Sequence, residues 1–380
     1  MKILITGGDG FCGWPTSLKL ASEGHEITII DNLSRRLIDT ELKSNSLTNI
    51  CSIDERLIAA RKQNWKISFL NADIKNYKKL LEIVTQINPD TIVHLAEQRS
   101  APYSMIGEKQ RRYTVDNNVI TTHNILNSIV DIKKDIHFVH LGTMGVYGYS
   151  KDFGEIPEGY LNVKINSTQK DVDILYPTNP GSIYHMSKSL DQILFQYYNK
   201  NWNLKITDLH QGIVWGTQTE QTRINPILVN RFDYDGIYGT VLNRFISQAA
   251  TGNDITVYGN GGQTRAFIHI EDTAKCIQIA CENEPKNTNR VRIFNQVSEV
   301  RSVKELAEIC VKSYGGKIKY VNNPRKELAN NELEVNNKGL KNLGFNPITL
   351  SNSLIDDIKF IALEMKSNLK PENILTSPKW

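Results

Sequence analysis

Tyr184 and Lys188 stand four positions apart in Ser182-Ile183-Tyr184-His185-Met186-Ser187-Lys188. That spacing puts two side chains on one face of a helix, with heads able to converge. Ser189 to Asn199 lacks Gly and Pro and is rich in Leu, Gln and Tyr, which predicts such a helix. A phenol with a pKa of ~10 is a poor base at neutral pH. A neighbouring ammonium stabilises the phenolate and draws that value toward working pH. The pair suits removal of a proton from a hydroxyl while hydride leaves the same carbon. Surface helices carry Tyr-x-x-x-Lys by chance, so the reading depends on what else surrounds the pair.

The elements that would position it can be followed from the first residues. Lys2 to Thr6 is a short apolar run, a buried strand that feeds straight into Gly7-Gly8-Asp9-Gly10-Phe11-Cys12-Gly13 and then a helical stretch to about Ser22. Glycines at 7, 10 and 13 permit a tight turn and close backbone approach. The helix start then offers free N–H groups to a pyrophosphate, so this is a dinucleotide loop, with Asp9, Phe11 and Cys12 as further contacts. A second strand, Glu26 to Ile30, ends at Asp31, whose carboxylate would accept from an adenosine ribose and repel a 2′-phosphate. That favours NAD over NADP. Arg35 and Arg36 follow Asn32 and Ser34 and could receive a 2′-phosphate, but Asp31 holds the strand end.

Residues 33–66 form a long insertion before a third strand (Ile67 to Leu70), a helix (Lys75 to Ile87) and a fourth strand (Thr91 to Leu95). A helix around Val115 to Val130 is expected to begin near Asn117-Asn118, with Val119, Ile120, Ile125, Leu126 and Ile129 as its apolar face. The strand Ile136 to Leu141 delivers Thr143 to a strand end, above the sheet, where α/β proteins place their chemistry. Its hydroxyl can join Tyr184 and Lys188 as a third catalytic group. Later stretches lead to a second lobe. There Arg265 and Arg325 suit a diphosphate, because guanidinium groups bind its oxygens in pairs.

With 380 residues the chain can bury a large core. A net charge of +4 without a long basic run implies no nucleic-acid partner. Five scattered cysteines without Cys-x-x-Cys spacing point to reduced thiols in the cytoplasm, and away from a disulfide framework or a metal site. No apolar run approaches ~18 residues, so no membrane partner is expected. Because the first residues already read as a strand, no leader peptide is expected either.

The whole set resembles the extended short-chain dehydrogenase/reductase superfamily, specifically its nucleotide-sugar enzymes. The resemblance is carried by Gly7 to Trp14, Asp31 to Arg36, Glu97-Gln98-Arg99-Ser100-Ala101-Pro102-Tyr103-Ser104-Met105, Gly142-Thr143-Met144-Gly145, Arg231-Phe232-Asp233-Tyr234-Asp235 and Asn243-Arg244-Phe245. These stretches and the insertion are most similar to the branch that forms UDP-sulfoquinovose from UDP-glucose and sulfite, formally classed with hydrolases acting on carbon–sulfur bonds. The fold so implied is a Rossmann α/β, doubly wound parallel sheet. Residues 1–215 would bind NAD and a smaller α/β lobe, 216–380, the UDP-sugar, with the chain crossing back at about 266–296. By the same resemblance Asp73 and Ile74 would meet the adenine. Leu95, Ala96 and Arg99 would lie against the nicotinamide ribose, and Asn117, Gln211 and Val214 would complete the NAD contacts with Tyr184 and Lys188. The substrate set would be Arg99, Thr143, His185, Gln211, Asn243, Arg244, Thr256, Val257, Tyr258, Gln263, Arg265, Asn323 and Arg325. The family also commonly forms homodimers through two helices per subunit, one of them carrying the Tyr-Lys pair.

The chemistry implied is oxidation at C4 of UDP-glucose with Tyr184 as base, Lys188 as its electrostatic partner and Thr143 on O4. Loss of water across C5–C6, addition of sulfite at C6 and re-reduction at C4 would follow. Arg99 and His185 are the cationic candidates for sulfite. Glu97 and His185 are candidates for the C5–C6 proton transfers. NDP-glucose 4,6-dehydratases carry Thr-Asp-Glu where this chain has Thr143-Met144-Gly145, so their acid/base pair is missing. A UDP-sugar 4-epimerase needs no such pair and is the competing enzyme. A non-catalytic NAD-binding regulator is the other alternative, against which the complete Tyr/Lys/Thr set argues.

Overall fold

The computed structural model describes residues 1–380 apart from 149–153, 168–169, 287–288, 324–327 and 375–380. The chain runs β1 (Lys2–Thr6), α1 (Gly13–Ser22), β2 (Glu26–Asp31), α2 (Ser34–Leu42), α3 (Ile53–Arg61), β3 (Ile67–Asn71), α4 (Tyr77–Ile87), β4 (Thr91–His94), α5 (Ala101–Met105), α6 (Glu108–Ile132) and β5 (His137–Thr143). Next come β6 (Tyr160–Ile165), β7 (Lys170–Leu175), α7 (Ile183–Trp202), β8 (Ile206–Gln211), β9 (Ile213–Trp215), α8 (Glu220–Arg223) and α9 (Val241–Thr251). Then follow β10 (Ile255–Tyr258), β11 (Thr264–His269), α10 (Ile270–Glu282), β12 (Arg292–Gln296), β13 (Glu299–Ser302), α11 (Val303–Tyr314) and β14 (Ile318–Val321), with short helices beyond.

Strands apolar on both faces must be covered on both faces, and seven of them pair in parallel in the order β3-β2-β1-β4-β5-β8-β12. Ile3, Ile5, Ile27 and Ile29 pack with Leu18, Leu20 and Ile277 on one side. Leu4, Ile30, Ile92 and Phe138 pack with Leu80, Ile125, Leu126 and Phe195 on the other. This is the doubly wound α/β sheet that the sequence predicts. Strand order reverses between β1 and β4, which opens a crevice beyond the strand ends. A second core gathers Trp215, Phe232, Phe245 and Phe267 around α9, α11, the β13-β11-β9 sheet and the β10-β14 pair. Among the described residues no helix is long and apolar enough to cross a membrane.

One element differs from the sequence expectation, and two segments carry elements that the sequence reading did not assign. Helix α6 begins at Glu108, not near Asn117-Asn118, because Glu108-Lys109-Gln110-Arg111-Arg112 is a run of strong helix formers. The two asparagines therefore sit inside the helix, where Asn117 Nδ2 donates to Ala96 O at 3.1 Å and Asn118 Oδ1 accepts from Gln98 N–H at 2.8 Å. The insertion, to which the sequence reading gave no elements, holds α2 and α3, the latter opened by a Ser52/Glu55 capping box. The β6–β7 hairpin, largely exposed along both strands, alternates apolar and polar residues (Leu161, Val163 and Ile165 against Val172 and Ile174), a strand pattern that went unread.

Candidate active site

Two cavities meet above the ends of the central strands and share Phe11, Cys12, Arg99, Gly142, Tyr184, Gln211 and Tyr238 in their walls. The narrower holds about 140 Å³ and runs along the glycine turn toward the end of β2. Gly7 is left-handed (φ +79°), and a side chain there would strike the Leu95 carbonyl; one at Gly13 would overlap the Gly7 oxygen. The turn can therefore fold back on itself, and α1 starts at its edge with no side chain capping it. The backbone at the turn leaves a cradle beside the start of α1 that a Cβ would fill.

Asp31 closes the far end. Its Oδ2 accepts from Asp9 N–H at 3.0 Å and its Oδ1 from Leu33 N–H at 2.7 Å. Burial nevertheless pushes its carboxyl up to about 6. The two nearby arginines are already engaged. Arg36 donates from Nε and Nη2 to Asp9 at 2.7 and 2.8 Å, while Arg35 pairs with Asp39 and Asp233 and lies 3.6 Å over the Tyr238 ring. Neither guanidinium is free for a 2′-phosphate.

The wider cavity, about 1040 Å³, lies between the sheet and the second lobe. Parallel pairing of β5 with β8 sets Thr143 opposite Gln211 at its floor. Helix α7 is capped by Ser182, whose hydroxyl accepts from His185 N–H, and this places Tyr184 in the first turn at the junction of the cavities. The Thr143 hydroxyl bonds the phenol. Lys188, one turn later, is buried, donates to Leu141 O at 2.7 Å and pairs with Glu97. Burial raises the Tyr184 phenol above its ordinary value; Lys188 pulls it down as the sequence suggests, but Glu97 pushes it up again, and the sum stays high. The expected draw toward working pH is therefore outweighed in the protein alone.

Residues 3–295 match the NAD dependent epimerase/dehydratase family. The chain belongs to that family. It is 40% identical to the chloroplastic UDP-sulfoquinovose synthase of Spinacia oleracea, a match covering 100% of this chain and 79% of that protein. It is 38% identical to the UDP-sulfoquinovose synthase of Sulfolobus acidocaldarius, over 100% of this chain and 98% of that one. Among solved structures, UDP-glucuronic acid 4-epimerase from Bacillus cereus, in complex with UDP-glucuronic acid and NAD, superposes with a TM-score of 0.68 at 22% identity, covering 97% of this chain and 100% of that one. The dTDP-glucose 4,6-dehydratase of Bacillus anthracis, in complex with NAD, gives 0.70 at 18% identity, over 98% and 99%. These two share the fold.

NAD is the cofactor of the family, and the glycine cradle, the uncapped α1 and the acid at the end of β2 fit it. Of the cofactor residues named from the sequence, all but Arg36 and Val214 line the narrower cavity. Arg36 turns to Asp9, and Val214 lines the wider one instead.

On the substrate side, Arg99, Thr143, His185, Gln211, Arg244, Thr256, Tyr258, Gln263 and Arg265 line the wider cavity. Asn243 does not: it is buried, its Oδ1 accepting from Gly216 N–H and its Nδ2 donating to Asp233 O. Val257 packs into the second core, Asn323 stands beside Gly259, and Arg325 lies outside the described residues. Glu97 is buried under Lys188 and reaches only the narrower cavity, so it does not face a sugar in the wider one. The sequence reading gave no role to Arg231, Asp233 and Tyr238; Tyr238 lines both cavities, Arg231 the narrower one, and Asp233 is buried beside them. Asp233 pairs with Arg99, Arg35 and Arg231, and those cations hold its buried carboxyl down at about 2. For Arg231 and Asp233 the Arg231-Phe232-Asp233-Tyr234-Asp235 run was a signal, because charged pairs among apolar residues suggest buried ion pairs.

Proposed function

We infer that the protein is a UDP-sulfoquinovose synthase, which converts UDP-glucose and sulfite to UDP-6-sulfoquinovose and water. The observation that carries the reading is similarity over the whole chain, at 40% and 38% identity, to two enzymes of that name. At Gly145 a side chain would overlap the His185 ring, which argues against a dehydratase Thr-Asp-Glu at this site.

In this reading residues 1–215 hold NAD and 216–380 the UDP-sugar, with the chain crossing back at about 266–296. Asp31 receives the adenosine ribose, the glycine turn the pyrophosphate, and Arg244 and Arg265 the substrate diphosphate. Bound there, NAD would supply the acceptor for the hydride leaving C4 and later the donor that returns it, so the reaction has no net redox change. Tyr184 takes the O4 proton, Thr143 orients that oxygen, and Lys188 balances the phenolate. The 4-ketone acidifies the C5 proton. His185, whose Nδ1 lies 3.1 Å from Ser182 Oγ, moves protons between C5 and the departing C6 hydroxyl. Sulfite then adds to the 5,6-ene at C6, drawn by Arg99 at the cavity junction.

Reduced thiols at all five cysteines support a cytoplasmic setting. A row of exposed apolar residues on α7 supports a homodimer.

Incubation of the protein with UDP-glucose, with and without sulfite, tests the reading by mass spectrometry. A UDP-sugar carrying a C6 sulfonate only when sulfite is present is expected. UDP-galactose as the product would make the protein a 4-epimerase. A His185→Gln variant should still reduce bound NAD with UDP-glucose yet form no sulfonate; full sulfonate yield removes His185 from the mechanism.

A further inference from the structure

The carboxylate of Glu97, just beyond β4, is surrounded by groups from four other elements. It pairs with Lys188 of α7 and lies 3.4 Å from His94 Nε2 of β4 and 3.2 Å from His140 Nε2 of β5, and it accepts from Thr122 Oγ1 of α6 at 3.1 Å. A second layer stands behind. His140 Nδ1 is 2.8 Å from Asp208 Oδ1 of β8, and His140 Nε2 is 3.7 Å from Asp191 of α7. Asp208 also meets His210, which in turn contacts the Tyr147 hydroxyl at 2.6 Å.

These groups settle into a definite charge pattern. Burial opposes ionisation of Glu97, yet Lys188 and the two histidines hold its carboxyl well below the carboxylate range. Burial, with Glu97 adding to it, pushes Asp191 well above that range, so of the two buried acids near Lys188 only Glu97 carries charge. Burial brings His94 down to about 4, leaving it neutral. At His140, burial and Lys188 oppose protonation, but Asp208 and Glu97 prevail and raise it to about 9. Asp208 itself is kept ionised by His210 and His140 despite its burial.

A buried ionised carboxylate is expensive unless it is paired. Holding Lys188 in place does not require one, because the ammonium already donates to Leu141 O. What Glu97 adds is negative charge paired with the ammonium, which opposes the pull of Lys188 and Arg99 on the phenol. We propose that Glu97 is a positioning residue that acts through Lys188, offsetting the pull of the ammonium on Tyr184, so that the phenol keeps the proton taken from O4 until that proton is returned. The inference rests on Tyr184 as the proton carrier. In a reaction with elimination and addition between two redox steps, a phenol that leaks its proton would strand the ketone; one held protonated does not.

The test is the pH profile of kcat/KM with UDP-glucose and sulfite for the wild type and Glu97→Gln. The acid limb is expected to move to lower pH by about one unit in the variant, the size of effect a neighbouring charge produces. Glu97→Asp should restore part of the shift. An unmoved limb, or one displaced to higher pH, overturns the proposal. Should Glu97→Gln fail to fold, the tyrosinate absorbance of Glu97→Asp against that of the wild type, each corrected by Tyr184→Phe, decides. Ionisation of Tyr184 at lower pH in Glu97→Asp supports the role, and ionisation unmoved or at higher pH overturns it. Full turnover by Tyr184→Phe would instead remove the base assignment on which the inference stands.

Discussion

At the scale of single residues, Asp31 ties cofactor affinity to pH. Its carboxyl is raised to about 6 by burial, so it is protonated below that value and ionised above it. Only the ionised form keeps every oxygen lone pair available to ribose hydroxyls while accepting from the Asp9 and Leu33 N–H groups. NAD affinity is therefore complete near neutral pH and falls as pH drops through about 6, by about tenfold at roughly pH 5. Fluorescence titration of NAD across that range would check this. Asp31→Asn should bind more weakly and show no such slope, and a flat wild-type Kd would sink the assignment. The residues around Asp31 were readable from sequence because a strand end and a glycine turn are local patterns. The occupancy of Arg35 and Arg36 was not, since Asp9 and Asp233 reach them only through the fold; Asp39, one turn along α2 from Arg35, is the local partner.

At the scale of elements, the insertion acts as a brace behind the glycine turn. Arg56 of α3 is fully buried; its Nη1 donates to Asp9 Oδ1 at 2.7 Å, its Nη2 to Val229 O at 3.2 Å, and its guanidinium lies 3.9 Å over the Trp14 ring. Trp14 Nε1 in turn donates to Leu228 O. One side chain thus joins α3, the start of α1 and the chain entering the second lobe. Arg56→Ala leaves a buried carboxylate half-paired and should cost about 3–5 kcal/mol in urea unfolding, with weaker NAD binding. Arg36→Ala, at a partly exposed partner of the same carboxylate, should cost less. Equal losses would show that burial does not set the size of the effect. Helix α3 could have been found from Ser52-Ile53-Asp54-Glu55, a capping-box pattern, whereas its partner Asp9 could not, because the contact joins distant parts of the chain. Helix α7 was legible from its composition, and the length of α6 was masked by reading Asn117-Asn118 as a start when tertiary bonds to the β4 loop hold both asparagines inside the helix.

At the scale of the whole molecule, the same helix that presents Tyr184 inward presents an apolar row outward. Leu190, Ile193 and Tyr197 follow helical spacing on α7, with Ile193 60% and Tyr197 56% exposed. Helix α6 packs alongside and adds Ile120, while Trp202 continues the row toward the end of α7. The opposite faces of both helices are spent on the central sheet through Ile125, Leu126, Ile129 and Phe195, so the outward row serves no part of its own core. A second copy laid against it would bury the row and would tie the helix bearing Tyr184 and Lys188 to its counterpart. Sequence periodicity marked the apolar positions on α6 but not which of them face outward, because that depends on which side of the helix meets the sheet. The double variant Ile193→Asp/Tyr197→Asp should convert a dimer to a monomer in size-exclusion chromatography with light scattering. NAD binding should persist, since neither residue lines the narrower cavity. A wild type that elutes as a monomer, or a variant that stays dimeric, would remove α7 as the interface.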